Sequence, residues 1–473
     1  MTESVFDTRA LKDIYEEIQR VYLSDNRPWI IGFSGGKDST CMAQLVWNGL
    51  AQLPKEKLQK KIFVISSDTL VESPKIVETI TNTLEKIEEG AKEHGLPIST
   101  NLVRPLLEDT FWVNLLGLGY PAPSKNFRWC TDRLKINNAD RFINEKVSEY
   151  GEAIVLLGTR KDESGSRAQL MNLYEIEGSV LSRHSKFAQT YVYTPLRDFT
   201  TEDVWNYLLQ TPNPWGNNNR DLLALYQNAN SGECPLVVDT STPSCGNSRF
   251  GCWVCTVVEK DKSMENLIDN GEEWMEPLLE LREELKKTQD PEKKLEYREF
   301  KRRNGKVIFY SDGTEKVTPG PYKLEFCKEF LGKLLSAQKK IQKEGPDPKM
   351  KLISEEEIHE IQRIWRMERG DWKNSAYQIY EKITGTKIAP RHEDLGTFGE
   401  VEQEVLEEVC KDNGVPSLLV SKLLHAEFEH QGMTQHSKVY KKLGKILAEE
   451  WREGIDEIID DLREQKEEKK RFK

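Results

Sequence analysis

The stretch that decides the fold is WIIGFSGGKDST, residues 29–40. WIIGF is an apolar run of the kind that fills a buried strand, expected here over 28–33, and TCMAQLVW (40–47) begins a helix. Between them SGGKDST (34–40) places two glycines, a lysine, an aspartate and hydroxyls at the mouth of the strand. Gly35 and Gly36 allow a tight turn and close backbone approach. Amides at the following helix start can point at an anion. Ser34, Ser39 and Thr40 add hydroxyl donors, and Lys37 is a mobile point charge. Asp38 is out of place beside a phosphate unless it orients amides or helps hold Mg2+. The segment lacks the Gly-x4-Gly-Lys-Ser/Thr spacing of the Walker loop, although its physics is related. The plain alternative is a glycine turn capped by Ser and Asp.

Outward from this loop, strands and helices alternate. KIFVISSDT (61–69), STNLVRP (99–105) and AIVLLGTRKDES (153–164) are further strands, the last running into a polar turn. Helices are expected over 73–95 and 131–149. This order predicts an α/β fold: a mostly parallel sheet with helices on both faces. Ser34, Asp68 and Arg160 fall at strand ends, where open sheets bind ligands.

The texture changes near 185. Thr200 or Thr201 caps a helix, with Asp203 in its first turn. Residues 231–256 are rich in Gly, Pro, Ser and Cys and read as a ligand-organised loop. From 263 to 460 the chain is mainly charged amphipathic helix, with GKVIFYSDG (305–313) as a hairpin strand and 350–462 as a helical bundle. HEIQR (359–363) lacks the second histidine of a zinc protease and reads as helix surface. A chain of 473 residues exceeds one ordinary core. The expected divisions are 1–210 for the sheet domain, 211–262 for the cysteine-rich segment, 263–349 for a charged helical region and 350–473 for a helical C-terminal lobe.

A net charge of −11 argues against a dedicated nucleic-acid binder, although the chain is locally basic between 296 and 347 and at its end. No stretch reaches the length of a membrane span, and the N-terminus reads as an amphipathic helix rather than a targeting peptide. A cytoplasmic protein, with no membrane partner, is expected. Of eight cysteines, Cys234, Cys245, Cys252 and Cys255 are separated by ten, six and two residues. Such clustering favours metal ligation over disulfides; an iron-sulfur cluster, zinc and spare thiols all remain open on spacing alone. Cys130, flanked by Arg128 and Arg133, is a candidate nucleophile or persulfide carrier, because cations lower a thiol pKa. Cys41 reads as core, and Cys327 and Cys410 as chemically idle.

SGGKDS resembles the pyrophosphatase loop of the adenine-nucleotide alpha-hydrolase superfamily. ISSDT (65–69), FRWCTDRLK (127–135), GTRKDESGSR (158–167) and PLRDFTTEDVW (195–205) are similar to segments of its phosphoadenylylsulfate reductase branch, with Phe199 where many members have Trp. The order of this domain, the four spaced cysteines and a long helical C-terminal part resembles the DndC family of bacterial DNA phosphorothioation proteins. The resemblance implies ATP, Mg2+ and a 4Fe-4S cluster, the cluster held by Cys234, Cys245, Cys252 and Cys255. It implies nucleotide contacts from Ser34, Gly35, Gly36, Lys37, Asp38, Ser39, Thr40, Asp68, Thr69 and Arg167. Catalysis falls to Lys37, Asp38, Arg128, Cys130 and Arg160, with Lys135 and the arginines expected to converge on one cleft and stabilise charge on phosphorus. The implied activity is ATP-dependent sulfur insertion into the DNA backbone. A DNA phosphate is adenylated, pyrophosphate leaves, and sulfur then replaces a non-bridging oxygen. The implied partners are DNA, a cysteine desulfurase as sulfur donor and other phosphorothioation proteins. The rival readings are a phosphoadenylylsulfate or adenylylsulfate reductase, a tRNA sulfurtransferase and a nucleotide-switched scaffold subunit.

Overall fold

The computed structural model describes residues 4–229, 251–310, 316–391, 398–428, 437–452 and 454–471. They fall into two compact units, Met1–Leu106 with Lys125–Leu279, and Leu107–Ser124 with Glu280–Lys473. These units do not follow the four divisions expected from composition.

In chain order the first unit contains α1 (Leu11–Leu23), β1 (Trp29–Gly32), α2 (Lys37–Leu50), β2 (Ile62–Ser67), α3 (Pro74–His94), β3 (Ile98–Val103), α4 (Trp129–Thr131), α5 (Asn137–Tyr150), β4 (Ala153–Leu156), α6 (Gly165–Leu173), β5 (Leu181–Arg183), β6 (Thr190–Tyr193), α7 (Thr201–Gln210), α8 (Asn219–Ala229) and α9 (Lys262–Asp269). The sheet order is β3-β2-β1-β4-β6-β5. All pairs are parallel except β5 with β6.

Alternate residues of the strands supply two cores, as the period of two requires. Trp29, Ile31, Ile62, Val64, Ile154 and Leu156 pack with residues of α1, α2, α3 and α7. Ile30, Phe63, Ile65, Ala153 and Val155 face Ile143 and Phe142 of α5. The continuous apolar strands are therefore the signature of a sheet covered on both faces. Cys41 is fully buried in the first of these cores.

After α10 (Glu276–Lys287), the chain continues through α11 (Lys294–Tyr297), α12 (Leu324–Glu344), α13 (Glu355–Arg369), α14 (Ser375–Thr384), α15 (Glu400–Asp412), α16 (Ser417–Phe428), α17 (Ser437–Leu447) and α18 (Ile455–Arg471). The expected helical character of this half holds. The second unit takes in the segment 107–124, whose Trp112 Nε1 donates to Leu352 O at 2.7 Å, while Trp365 Nε1 donates to Leu116 O at 2.7 Å. At the hairpin expected at 305–313, Phe309 and Val317 form an antiparallel bridge, with Tyr310 N–H donating to Lys316 O at 2.9 Å and Thr318 N–H to Ile308 O at 2.6 Å; residues 311–315 lie outside the described residues. No helix among the described residues is long and apolar enough to cross a membrane.

Candidate functional site

β1 lies between β2 and β4, with Ile31 level with Val64 of β2 and Leu156 of β4. Chain direction from β1 leads through α2 to β2, and β4 returns on the other flank. The carboxyl ends of β1 and β4 therefore border a topological switch point, the place where open α/β sheets bind ligands.

Gly36 has extended dihedrals and is the N-cap of α2, so the helix begins at Lys37, three residues earlier than sequence reading expected. Lys37, Asp38 and Ser39 thus occupy its first turn, whose amides have no acceptor within the helix. Gly35 has φ +70°, a conformation that side chains rarely adopt. The Ser39 hydroxyl donates to Gly36 O at 3.0 Å and accepts from Ser34 N–H at 3.2 Å. Its proton is spent, so in the Ser34 Oγ···Ser39 Oγ contact at 3.1 Å Ser34 donates. The Ser39 and Thr40 side chains are buried.

Asp38 divides its two oxygens between two cations. Lys37 Nζ donates to Oδ2 at 2.8 Å, and Arg160 Nε to Oδ1 at 2.7 Å. Burial alone would raise the Asp38 pKa, but the charges and hydrogen bonds of Lys37 and Arg160 outweigh it and hold the carboxyl below its ordinary value. Arg160 is enclosed, with further hydrogen bonds to Thr201 Oγ1 at 3.1 Å and Phe199 O at 3.4 Å. Arg160 Nη1 also lies 3.5 Å from Asp162 Oδ2, so the guanidinium is shared between two carboxylates, and the Lys37 ammonium is the charge beside the glycine turn that suits an anion. Close approach of the two loops depends on Gly158: a Cβ there would stand 2.8 Å from Asp38 O and 2.9 Å from Asp38 C.

At the end of β2, Asp68 accepts from Leu70 N–H at 2.9 Å and from Arg104 Nε at 2.9 Å. It braces a strained turn, because Leu70 has φ +63°. Thr69 Oγ1 lies 3.3 Å from Cys252 Sγ. Residues 251–253 run antiparallel to 71–73, with Trp253 N–H donating to Val71 O at 2.9 Å. Cys255 N–H donates to Cys252 O at 3.0 Å, closing a turn, and Lys135 Nζ lies 3.2 Å from Glu72 Oε1.

Several expectations are corrected by this geometry. Among the described residues no group of three or more His, Cys, Asp or Glu could hold a metal ion. That finding overturns the 4Fe-4S cluster; of the four cysteines expected to hold it, Cys234 and Cys245 lie outside the described residues. Cys252 is instead engaged by protein groups: its thiol donates to Glu72 Oε1 at 3.6 Å, and burial, reinforced by Glu72, pushes its pKa up. Cys130 does not have the depressed pKa expected from its neighbours: burial raises it, and the nearby Cys255 adds to the rise. Arg160 braces Asp38, Arg167 pairs with Glu163 at the start of α6, and Arg128 is exposed at the N-cap of α4.

Sequence reading missed Tyr226, whose hydroxyl accepts from Lys37 N–H at 3.2 Å, and whose ring lies 5.6 Å from Lys37 Nζ. Nothing local marks it, because it reaches the loop from α8. Gly158 was marked only as part of GTRKDESGSR, and Arg104 not at all.

Residues 28–258, just under half of the chain, match the phosphoadenosine phosphosulfate reductase domain family. A domain resembling that family, with the sheet and loop described above, is therefore present. Residues 402–448 match a second family, described as a small protein found in certain Dnd DNA modification systems. An uncharacterized protein of Methanocaldococcus jannaschii is 25% identical over 249 residues, covering 53% of this chain and 39% of the relative. The chain therefore matches well under half the length of that relative. Among solved structures, a phosphoadenylyl-sulfate reductase from Candida auris in a phosphate complex is 13% identical, covers 44% of this chain and 88% of its own, and has a TM-score of 0.27. The U34-tRNA thiolase NcsA from Methanococcus maripaludis, with its 4Fe-4S cluster, is 16% identical, covers 59% and 80%, and has a TM-score of 0.28. At such scores neither structure adds to the argument.

Proposed function

We propose that the first unit is an enzyme of sulfonucleotide chemistry, binding an adenine nucleotide with a phosphosulfate chain and cleaving its anhydride as a phosphoadenylylsulfate reductase does. The observation that carries this reading is the Lys37–Asp38–Arg160 arrangement, set beside Gly35 and Gly36 at the β1/β4 crevice of the matched domain. In this reading the amides of the α2 first turn, Ser34 and Lys37 hold the phosphate. Asp38, braced by Arg160, fixes the Lys37 ammonium, and catalysis rests on positioning and electrostatics. Thr69 and Asp68 border the nucleotide, and Cys130 is taken as the thiol that meets sulfur. Arg128 and Arg167 serve the outer phosphate groups.

A second reading has its own observation. The match of 402–448 to a family found in Dnd DNA modification systems favours sulfur insertion into DNA, with ATP as the activating substrate, a cysteine desulfurase as sulfur donor and other phosphorothioation proteins as partners.

Product analysis separates the two. The full chain is incubated with phosphoadenylylsulfate and a dithiol reductant, which supplies the two electrons for sulfite release, and separately with ATP and duplex DNA. Sulfite with adenosine 3′,5′-bisphosphate is expected from the first mixture. AMP and pyrophosphate from the second alone would replace that reading with DNA modification, and no turnover of either nucleotide would contradict both.

A further inference from the structure

The helical unit bears two exposed faces of opposite character. α15 reads EVEQEVLEEVCKD. Its covered side includes Cys410, which is buried, and Gln403, whose Oε1 accepts from Trp372 N–H at 2.8 Å. On the other side Val401, Val405 and Val409 recur every fourth residue and are 68%, 54% and 53% exposed. Valine is a mediocre helix former because its χ1 is restricted, so a row of three in solvent is not explained by helix stability. An amphipathic helix has one apolar stripe facing its own core; this one carries a second. The helix contains six carboxylates and one lysine. Glu408 and Asp412 flank the valine row at helical spacing.

α17 reads SKVYKKLGKIL, with four lysines and no carboxylate. Val439 and Ile446 are its buried positions. Tyr440 and Leu447, seven residues apart and so on one face, are 72% and 60% exposed. Lys441 borders that face and Lys445 lies beyond it.

We propose that these two faces meet between two copies of this chain: the acidic, valine-lined face of α15 in one copy packs on the basic Tyr440/Leu447 face of α17 in the other. Exchange of the contact about a two-fold axis gives two such seams per dimer, which closes the assembly. The apolar rows supply the buried centre, and the carboxylates and lysines along them select the pairing. The occupant is fixed by charge: a valine row among carboxylates rejects another acidic helix and accepts a lysine-rich one, and α17 presents that chemistry together with exposed apolar side chains.

The full chain is examined by sedimentation velocity and light scattering over a range of concentrations, at low and high salt. The expected mass at low salt is twice the 54.7 kDa of the chain. Val405→Glu and Tyr440→Ser, on different helices, are each expected to give the monomer with unchanged helix content by circular dichroism. A chain carrying Glu408→Lys with Asp412→Lys, and another carrying Lys441→Glu with Lys445→Glu, are each expected to be monomeric. Mixed one to one they are expected to recover the dimer, because one seam is then charge-reversed and the other native. A monomer at every concentration, a dimer that survives both Val405→Glu and Tyr440→Ser, or a mixture that stays monomeric overturns the proposal.

Discussion

Arg160, enclosed just beyond β4, donates its Nε–H to Asp38 Oδ1 at 2.7 Å and so ties the loop after β4 to the first turn of the helix after β1. Removing the guanidinium leaves a largely buried carboxylate with Lys37 alone. Arg160→Ala is expected to cost about 3 kcal/mol or more of stability, since breaking a buried pair strands the remaining charge. Chemical unfolding measures it. A loss within ordinary surface range would show that the pair is dispensable.

Gly158 is the second constraint on the same junction. Its replacement by Ala puts a methyl group 2.8 Å from Asp38 O, against backbone that cannot swing aside. Gly158→Ala is expected to cost about 1–3 kcal/mol, the usual cost of overpacking, and to weaken nucleotide binding by moving the α2 first turn. Calorimetric titration and unfolding of the same variant check both effects.

The depressed Asp38 pKa has a definite pH consequence. Its folded value lies below its unfolded value, so the unfolded state binds the proton more readily. The stabilisation is fully present above the unfolded pKa of about 4, and is lost as pH falls through the lower folded value. Wild type and Asp38→Asn are expected to differ in unfolding free energy at pH 7 and to converge in strong acid. A constant difference across that range would contradict the coupling.

Leu70 tests strain at the end of β2. An exposed leucine at φ +63° is held by Leu70 N–H to Asp68. Leu70→Gly relieves a left-handed penalty of about 1–2 kcal/mol and adds back roughly half of it as unfolded-chain entropy. A net gain of a few tenths to about 1 kcal/mol is expected, read from the denaturation midpoint. A loss would mean that the side chain supports the turn.

The sheet was legible because both of its faces are buried: WIIGF, KIFVIS and AIVLL read as strands without any alternation to decode. β5 and β6 were missed. LSR and TYVY are only three and four residues long, too short for a periodic pattern to mark, and they pair as Leu181 with Tyr193 and Leu156 with Tyr193. The glycine loop was legible from its composition. That Asp38 is neutralised by Arg160 was not, because the partners are far apart in sequence and both read equally well as ligand contacts. Cys130 misled for a related reason: neighbouring arginines in the sequence predict a lowered thiol pKa, while burial, visible only in three dimensions, sets the opposite direction. The tyrosine behind Lys37 belongs to a helix whose periodic pattern explains it fully as packing.

The central claim is that the α2 first turn, with Lys37 fixed by the braced Asp38, is a nucleotide phosphate site. The most direct measurement is equilibrium titration of phosphoadenylylsulfate and ATP into the wild-type chain and into Lys37→Met. Saturable binding by the wild type, weakened by about tenfold or more in the variant, equivalent to about 1.4 kcal/mol, is the predicted result. Equal affinity in the two proteins, or no binding to the wild type, would contradict it.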